Sequence, residues 1–165
     1  MNALPWREVE VGRYTDFEAI LLDLEIAGFG WCDWGRDILS KVKLDQVRRT
    51  VPLFLVTNYE LELPDNAYYR DILHPQQTTL GKALNSGFKV CSGEECPALL
   101  LQHSEESGHL VGEGLAFGME AIAANCSWQS MLALRKKRVE DGSPILSATR
   151  TSIPHPGRHR FVFTR

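Results

Sequence analysis

The sequence predicts one α+β domain over residues 1–165, with a mainly antiparallel sheet, a central hairpin and four to five short helices. Two apolar runs flank a polar loop that ends in glycine, which is typical of a hairpin. One run alternates polar and apolar residues, as a strand does, and several segments carry apolar residues at helical spacing. A chain of 165 residues with 44% hydrophobic content is long enough to bury one core.

The hairpin is expected in the middle of the chain. Residues 97–102 would form its first strand and residues 109–117 its second. The polar segment 104–108 ends in Gly108, and glycine tolerates the positive φ that the last loop residue often needs. Residues 99–101 are apolar without alternation, so this strand is expected to be buried on both faces.

Local signals place the other elements. Thr15 and Glu18 form a capping-box pattern ahead of apolar residues, which predicts a helix over residues 16–27. Pro52 cannot continue a helix and disfavours helix at Val51, so the helix expected at residues 35–49 ends before it. Further helices are expected at residues 35–49, 67–73, 79–85 and 128–138, the last preceded by a helical segment at residues 119–123, and further strands at residues 6–14, 53–63, 145–151 and 160–164.

Charge is distributed unevenly along the chain, although the net charge is only −3. Residues 1–129 contain 19 acidic and 10 basic side chains, whereas residues 130–165 contain 2 acidic and 8 basic ones. Such a partition is typical of a basic surface for nucleic acid or for an acidic partner. It is equally typical of a basic segment that folds back onto the acidic part of the same chain, and the sequence leaves both interpretations open.

The leading functional hypothesis is a non-enzymatic binding protein. The sequence has neither a G-x-S-x-G motif nor a P-loop, and its basic C-terminal segment favours a small subunit or accessory factor of a larger assembly. That assembly could be a nucleoprotein, with RNA or DNA as the partner. The residues expected to contact phosphates are Arg135, Lys136, Lys137, Arg138, Arg158 and Arg160, and Phe161 is expected to stack on a base.

A zinc site is an open alternative for the middle of the chain. Four potential ligands occur within nineteen residues, spaced C-x4-C-x6-H-x5-H: Cys91, Cys96, His103 and His109. Thiolate and imidazole groups are the usual ligands of tetrahedral zinc. The same pattern also fits a half-buried cysteine pair and two surface histidines beside an acidic turn. No other cofactor is predicted.

Three short segments resemble the chorismate lyase family in their order. They are WGRDIL at residues 34–39, RTVP at residues 49–52 and LG at residues 80–81. The resemblance implies an α+β ligand pocket in which Arg36 binds a substrate carboxylate. Residues 147–149 are Ser-Ala-Thr where the family has a late carboxylate, and the N-terminal part is shorter than the family's. The alternative function is therefore a small-molecule enzyme or lyase-like ligand-binding domain with an arginine/histidine pocket.

The N-terminal sequence, MNALPWREVEVGRY, has no basic region followed by an apolar one, so no signal peptide is predicted. The longest apolar runs are too short to cross a bilayer. A cytoplasmic protein without membrane contact is expected, and its four cysteines are expected to be free thiols.

Overall fold

The computed structural model describes residues 4–104, 114–136 and 143–165. The strands are β1 (Arg7–Val11), β2 (Gly30–Trp31), β3 (Arg49–Thr57), β4 (Ala67–Tyr68), β5 (Leu115–Phe117), β6 (Ile122–Ala123), β7 (Gln129–Lys136), β8 (Pro144–Arg150), β9 (Pro154–His155) and β10 (Arg160–Phe163). The α-helices are α1 (Phe17–Ile26), α2 (Asp33–Lys41), α3 (Thr79–Asn85) and α4 (Glu95–Gln102). The predicted α+β class with a mainly antiparallel sheet is confirmed.

The main sheet has the strand order β1-β3-β10-β5-β7-β8-β2, and β6 pairs with one end of β7. Its neighbours are antiparallel except for the pairs β10–β5 and β2–β8. Strands β4 and β9 form a separate antiparallel pair. None of the described helices is both long and apolar enough to cross a membrane.

Register determines which residues meet at each end of this sheet. Arg160 pairs with Thr57 on one side and with Leu115 on the other, and Leu115 pairs in turn with Leu134. The last residues of β3 and β7 and the first residues of β5 and β10 therefore lie at the same end of the sheet. Lys89, which pairs with Thr164 beyond the last residue of β10, lies at the opposite end.

The strands bury side chains on both faces of the sheet. On one face Phe54 lies opposite Phe163, and Phe88 packs against both rings. On the same face Phe161 stacks on Tyr69, with ring centroids 5.7 Å apart. Helix α2 packs on β7 and β8, and helix α4 packs on β1. The described helices and strands consequently share one hydrophobic core.

Two predicted helices form, although the Thr15–Glu18 capping box predicted for the first does not, since Asp16 is its N-cap. Asp16 accepts a hydrogen bond from the backbone N–H of Ala19 at 2.9 Å and begins α1, which confirms the predicted helix at residues 16–27. Thr78 caps α3 in the same way through the N–H of Gly81, at 3.1 Å, and α3 has the predicted bounds. The predicted strands at residues 6–14, 145–151 and 160–164 are confirmed as β1, β8 and β10, with differences at their ends.

The predicted central hairpin is wrong at its first strand, because residues 97–102 belong to helix α4. Pro97 lies in the first turn of this helix, where the missing N–H costs nothing. Residues 95–100 are all buried, so the run shows no helical periodicity, and an apolar run without periodicity also fits a buried strand. The predicted second strand covers residues 109–117. Its described part contains β5, which pairs with β10 and β7 and not with residues 97–102.

The predicted helix at residues 128–138 is also wrong, because residues Gln129–Lys136 form strand β7. Residues 130–134 are buried on both faces of the sheet, so apolar residues follow one another without the alternation of a half-buried strand. Residues 119–123 and 67–73 contain short strand segments instead of helices.

Two further predicted elements differ at their ends. The helix expected at residues 35–49 begins at Asp33 and ends at Lys41, because Val42 has an extended backbone. The strand expected at residues 53–63 begins earlier, at Arg49, and ends at Thr57, after which the chain turns.

Candidate functional site

Basic side chains from two distant segments converge at one end of the main sheet. Arg135 and Lys136 are exposed at the end of β7. Arg158 is exposed just before β10, and Arg160, the first residue of β10, is partly exposed. Only β5 separates β7 from β10, so the two strands are about 10 Å apart. We call these four residues the basic edge. Lys137 and Arg138, which were predicted to belong to the same surface, lie outside the described residues.

Three residues of the basic edge do not pair with acidic residues from the first part of the chain. The described ion pairs of basic residues before position 129 are formed with acidic residues of the same part of the chain, as between Lys41 and Asp37 at 2.9 Å and between Arg70 and Glu120 at 4.0 Å. Within the described part of the chain, Arg135, Lys136 and Arg160 form no ion pair. Their charges are therefore not neutralised by the described acidic residues.

Phe161 is not available to stack on a base, so this part of the predicted nucleic-acid site is wrong. Its side chain is 0% exposed. The residue lies directly opposite Val56 in the β3–β10 pair, and its ring packs against Tyr69 and against His155, which is 5.4 Å away. Strand β10 lies inside the sheet between β3 and β5 and is buried on both faces, since Phe161, Val162 and Phe163 are all 0% exposed.

Tyr59 provides the exposed aromatic ring that the sequence analysis missed. Its side chain is 57% exposed at the turn after β3, and its N–H donates to the carbonyl of Gly157 at 3.1 Å. A Cβ on Gly157 would lie 2.4 Å from Cε1 of Tyr59, so the ring can pack there only because this residue is glycine. The hydroxyl donates to Oδ1 of Asp65 at 2.8 Å, which holds the ring next to Arg158.

Asp65 also determines the charge state of this ring. Its hydrogen bond and its negative charge raise the pKa of Tyr59, while Arg158 opposes the shift. The shift favours the protonated phenol, which donates the hydrogen bond to Asp65. The alternating residues at 59–63 predict a strand, whereas residues 58–62 form a turn; Asn58 at its start is a residue type that turns favour.

Two histidines lie directly beneath the basic edge. The ring centroids of His155 and His159 are 4.8 Å apart, and both rings contact Phe161. Burial lowers the pKa of both imidazoles. The pKa of His159 falls to about 4, because the charges of His155, Arg135 and Arg160 add to the effect of burial. Both rings are consequently neutral at pH 7.

One nitrogen of His159 and one of Asn58 are buried without a hydrogen-bond partner among the described residues. These atoms are Nε2 of His159 and Nδ2 of Asn58. Asn58 follows Thr57, which pairs with Arg160, so Asn58 and His159 lie at neighbouring positions of the two strands. The amide oxygen of Asn58 is engaged, because it accepts a hydrogen bond from the Thr79 hydroxyl at 2.7 Å.

The predicted zinc ligands are held by other contacts where the structure describes them. Cys91 and Cys96 are buried, which raises the pKa of both thiols, and Sγ of Cys91 donates to the carbonyl of Val162 at 3.4 Å. Nε2 of His103 lies 2.8 Å from the carbonyl oxygen of Glu8. Across residues 4–104, 114–136 and 143–165 no three metal-ligating side chains form a cluster. His109 lies outside these residues, so the zinc site stays a prediction.

The acidic turn between the two cysteines is part of the core. Both oxygens of Glu94 accept backbone hydrogen bonds, from the N–H of Gly12 at 2.7 Å and from the N–H of Asp45 at 2.9 Å. Glu95 accepts from the hydroxyl of Ser92 and from the N–H of Gly93. These carboxylates therefore join separate loops to the start of α4, instead of forming a surface turn.

Arg36 lies in an open cleft of about 310 Å³ on the outer side of α2. The cleft is lined by Phe17, Asp33, Arg36, Asp37, Ser40 and Asn125. Asp37 is already bound, because it pairs with Lys41 and accepts from the N–H of Asn125 at 2.7 Å. Asp33 and Arg36 are exposed. The arginine suggested by the resemblance is thus accessible, although no histidine lines its cleft.

Comparison with known proteins gives no match. No protein family, curated protein or solved structure that was compared matches this chain. The function is therefore inferred from the side chains at the basic edge and from the residues that contact them.

Proposed function

We propose that this protein is a non-enzymatic binding protein, acting as an accessory subunit of a nucleoprotein assembly, that binds single-stranded nucleic acid across the basic edge. The observation that supports this most directly is the register of β3, β10, β5 and β7. It brings the four basic residues and the exposed ring of Tyr59 to one end of the sheet. Proteins that bind single strands commonly combine a positive surface for the backbone with aromatic rings for the bases.

The dimensions of this surface fit a short stretch of single strand. From β3, which ends next to Tyr59, to β7, which ends at Lys136, there are three strand spacings, or about 14 Å. Arginine and lysine along this line would pair with successive phosphates. The ring of Tyr59 favours a single strand over a duplex, because only an unpaired base exposes a face on which the ring can stack.

The charge of the basic edge is the first property to test. We expect the double substitution Lys136→Glu and Arg158→Glu to weaken binding of a fluorescein-labelled oligouridine at least about tenfold, because it turns two attractions into repulsions. Fluorescence anisotropy measures the affinity at several salt concentrations. Four phosphate contacts predict a log–log salt slope of about −2.8 for the natural protein, and losing two of them should reduce its magnitude by about 1.4.

The matched control is the double substitution Lys43→Glu and Lys89→Glu. It changes the net charge by the same amount, and both lysines are exposed beyond the ends of β3 and β10 that lie opposite the basic edge. We expect this control to lose less than about threefold in affinity, through long-range charge alone. Equal losses in the two variants, or an affinity that does not depend on salt, would contradict the proposal.

The cleft around Arg36 supports a second candidate function, a small-molecule carboxylate pocket. Here an exposed arginine faces a concave surface together with Asp33, as the alternative of a ligand-binding enzyme requires. Titration calorimetry with benzoate tests this candidate. Saturable heat in the natural protein that is lost in Arg36→Gln would favour it, and the absence of heat in the natural protein would count against it.

A further inference from the structure

The histidine pair lies within the end of the sheet that carries the basic edge. Gly114 precedes β5 and lies one position beyond the Leu115–Leu134 pair, which places it opposite Arg135. A Cβ on Gly114 would lie 3.9 Å from Cε1 of His159. The imidazole of His159 therefore lies beside the start of β5, where the charges of Arg135 and Arg160 reach it.

The charges that act on the two imidazoles are positive, and one carboxylate, Asp65 in the loop before β4, accepts from the N–H of Gly157 between them at 3.0 Å. Arg135 faces the pair from β7, Arg160 from β10, and Arg158 belongs to the loop of His159 itself. The ring of Tyr69 stacks on Phe161, which contacts both imidazoles. The Tyr69 hydroxyl donates to the carbonyl of Met119 at 2.9 Å. Among the described residues no carboxylate lies within ion-pair distance of either imidazole.

The described hydrogen bonds of the pair do not engage every ring nitrogen. His155 contacts the carbonyl oxygen of Arg150 through Nε2, at 3.3 Å. Nε2 of His159 has no partner among the described residues. Protonation would make each ring a donor at both nitrogens, but it would also add a positive charge next to two arginines. An anion on the surface above would remove this electrostatic obstacle.

We propose that the His155–His159 pair couples nucleic-acid binding to pH: a phosphate held on the basic edge supplies the missing negative charge, so that binding takes up a proton. This inference rests on the proposed function. By linkage, a ligand that promotes protonation is bound more tightly by the protonated protein, by the same factor. Affinity for a single strand should therefore increase as the pH falls below neutrality.

The size of the effect follows from the shift that a nearby phosphate produces. The imidazole of His159 has a pKa of about 4 in the unbound protein. An opposite charge close to a titratable group commonly raises the pKa of a base by about 1–3 units. A rise of about two units would make binding at pH 5 roughly tenfold tighter than at pH 7.5, with the uptake of one proton.

The test compares the affinity for labelled oligouridine at pH 7.5 and at pH 5, at constant salt, with circular dichroism to verify folding at both values. We expect binding about tenfold tighter at pH 5 in the natural protein. In the double substitution His155→Gln and His159→Gln the ratio should fall to less than about twofold, because glutamine does not titrate. The control is His74→Gln, which removes an exposed histidine that contacts Asp71 and should keep the full ratio.

A second measurement needs no substitution at the pair, and it decides the question if the double variant does not fold. NMR of protein labelled with ¹⁵N-histidine follows the titration of His159 with and without saturating oligouridine. We expect the pKa to rise by at least about one unit on binding. A pKa that does not move, or a pH dependence equal to that of the double variant, would overturn the coupling alone. Absence of binding at both pH values would overturn the proposed function as well.

Discussion

Tyr59 is exposed, but its position is fixed at both ends of its side chain. Gly157 packs against the ring edge and Asp65 accepts from the hydroxyl. We expect Tyr59→Leu to weaken binding of oligouridine about tenfold or more, because base–aromatic stacking contributes about 1–3 kcal/mol per base. Fluorescence anisotropy at fixed salt measures the change. Tyr59→Phe is the control: it keeps the ring and removes only the hydrogen bond, so it should bind within about threefold of the natural protein. Similar losses in both variants would show that the ring does not stack.

The histidine pair should make the fold sensitive to mild acid. His159 has a pKa of about 4 in the folded protein against 6.5 in an ordinary environment, so the unfolded chain binds more protons between these values. Its neutral form therefore stabilises the fold fully above pH 6.5, and this contribution is lost as the pH falls toward 4, by up to about 3 kcal/mol. His155 acts in the same direction. Urea denaturation at a series of pH values measures the slope.

Protonation of carboxylates also destabilises the fold, but at lower pH than protonation of the histidine pair, so the two effects can be measured separately. Asp45 and Asp71 have a lowered pKa, because of hydrogen bonds from Arg49 and from the N–H of Leu73, so they lose their contribution only below the usual carboxyl range. The substitution His159→Gln should flatten the slope between pH 6.5 and 4 and leave the loss at lower pH. An unchanged slope in this variant would contradict the assignment.

At the scale of elements, the contact between α2 and β8 depends on one glycine. A Cβ on Gly35 would lie 2.7 Å from both the carbonyl oxygen of Leu146 and Cα of Ser147. Helix propensity alone favours alanine over glycine by about 1 kcal/mol, but here the obstructing atoms are backbone and cannot move aside. We therefore expect Gly35→Ala to destabilise the protein by about 2 kcal/mol or more, measured by urea denaturation. Equal or higher stability would show that α2 can move away from the sheet.

Side chains from the end of α4 cover the outer edge of β1. The Gln102 amide accepts from the N–H of Glu10 and donates to its carbonyl, both at 2.8 Å, and His103 contacts the carbonyl of Glu8. Two residues at the end of α4 thus occupy hydrogen-bonding positions that an additional strand would take. Covering an edge in this way is one means by which proteins avoid pairing with other chains.

The elements differ in how far the sequence determines them. Helices α1 and α3 are predictable because local signals mark their ends: Gly28 and Gly87 follow them with positive φ, although the N-cap of α1 is Asp16 and not the predicted Thr15. Helix α4 and strand β7 are not, because both are buried on all sides and burial removes the periodicity that distinguishes helix from strand. In the candidate site, charge alone indicates Arg135 and Arg160. Tyr59 and the histidine pair become neighbours of these arginines only through the register of β3, β10, β5 and β7, which no local signal contains.

At the scale of the whole molecule, the position of the basic edge on the main sheet determines where a ligand would bind. Basic side chains nevertheless lie at both ends: the basic edge and the exposed ring of Tyr59 lie at one end, and Lys43 and Lys89 lie beyond the opposite ends of their strands. A bound strand should therefore contact one end of the sheet and leave the α1 and α2 side free. This location is the central claim of the proposed function.

The most direct test of this location is photo-crosslinking with an oligouridine that contains 4-thiouridine, followed by mass spectrometry of the crosslinked peptides. We predict crosslinks at Tyr59 and within residues 157–160, with competition by unlabelled oligouridine. Crosslinks confined to the α1 and α2 side of the molecule, or none under conditions where anisotropy detects saturable binding, would contradict the claim that the basic edge is the nucleic-acid interface.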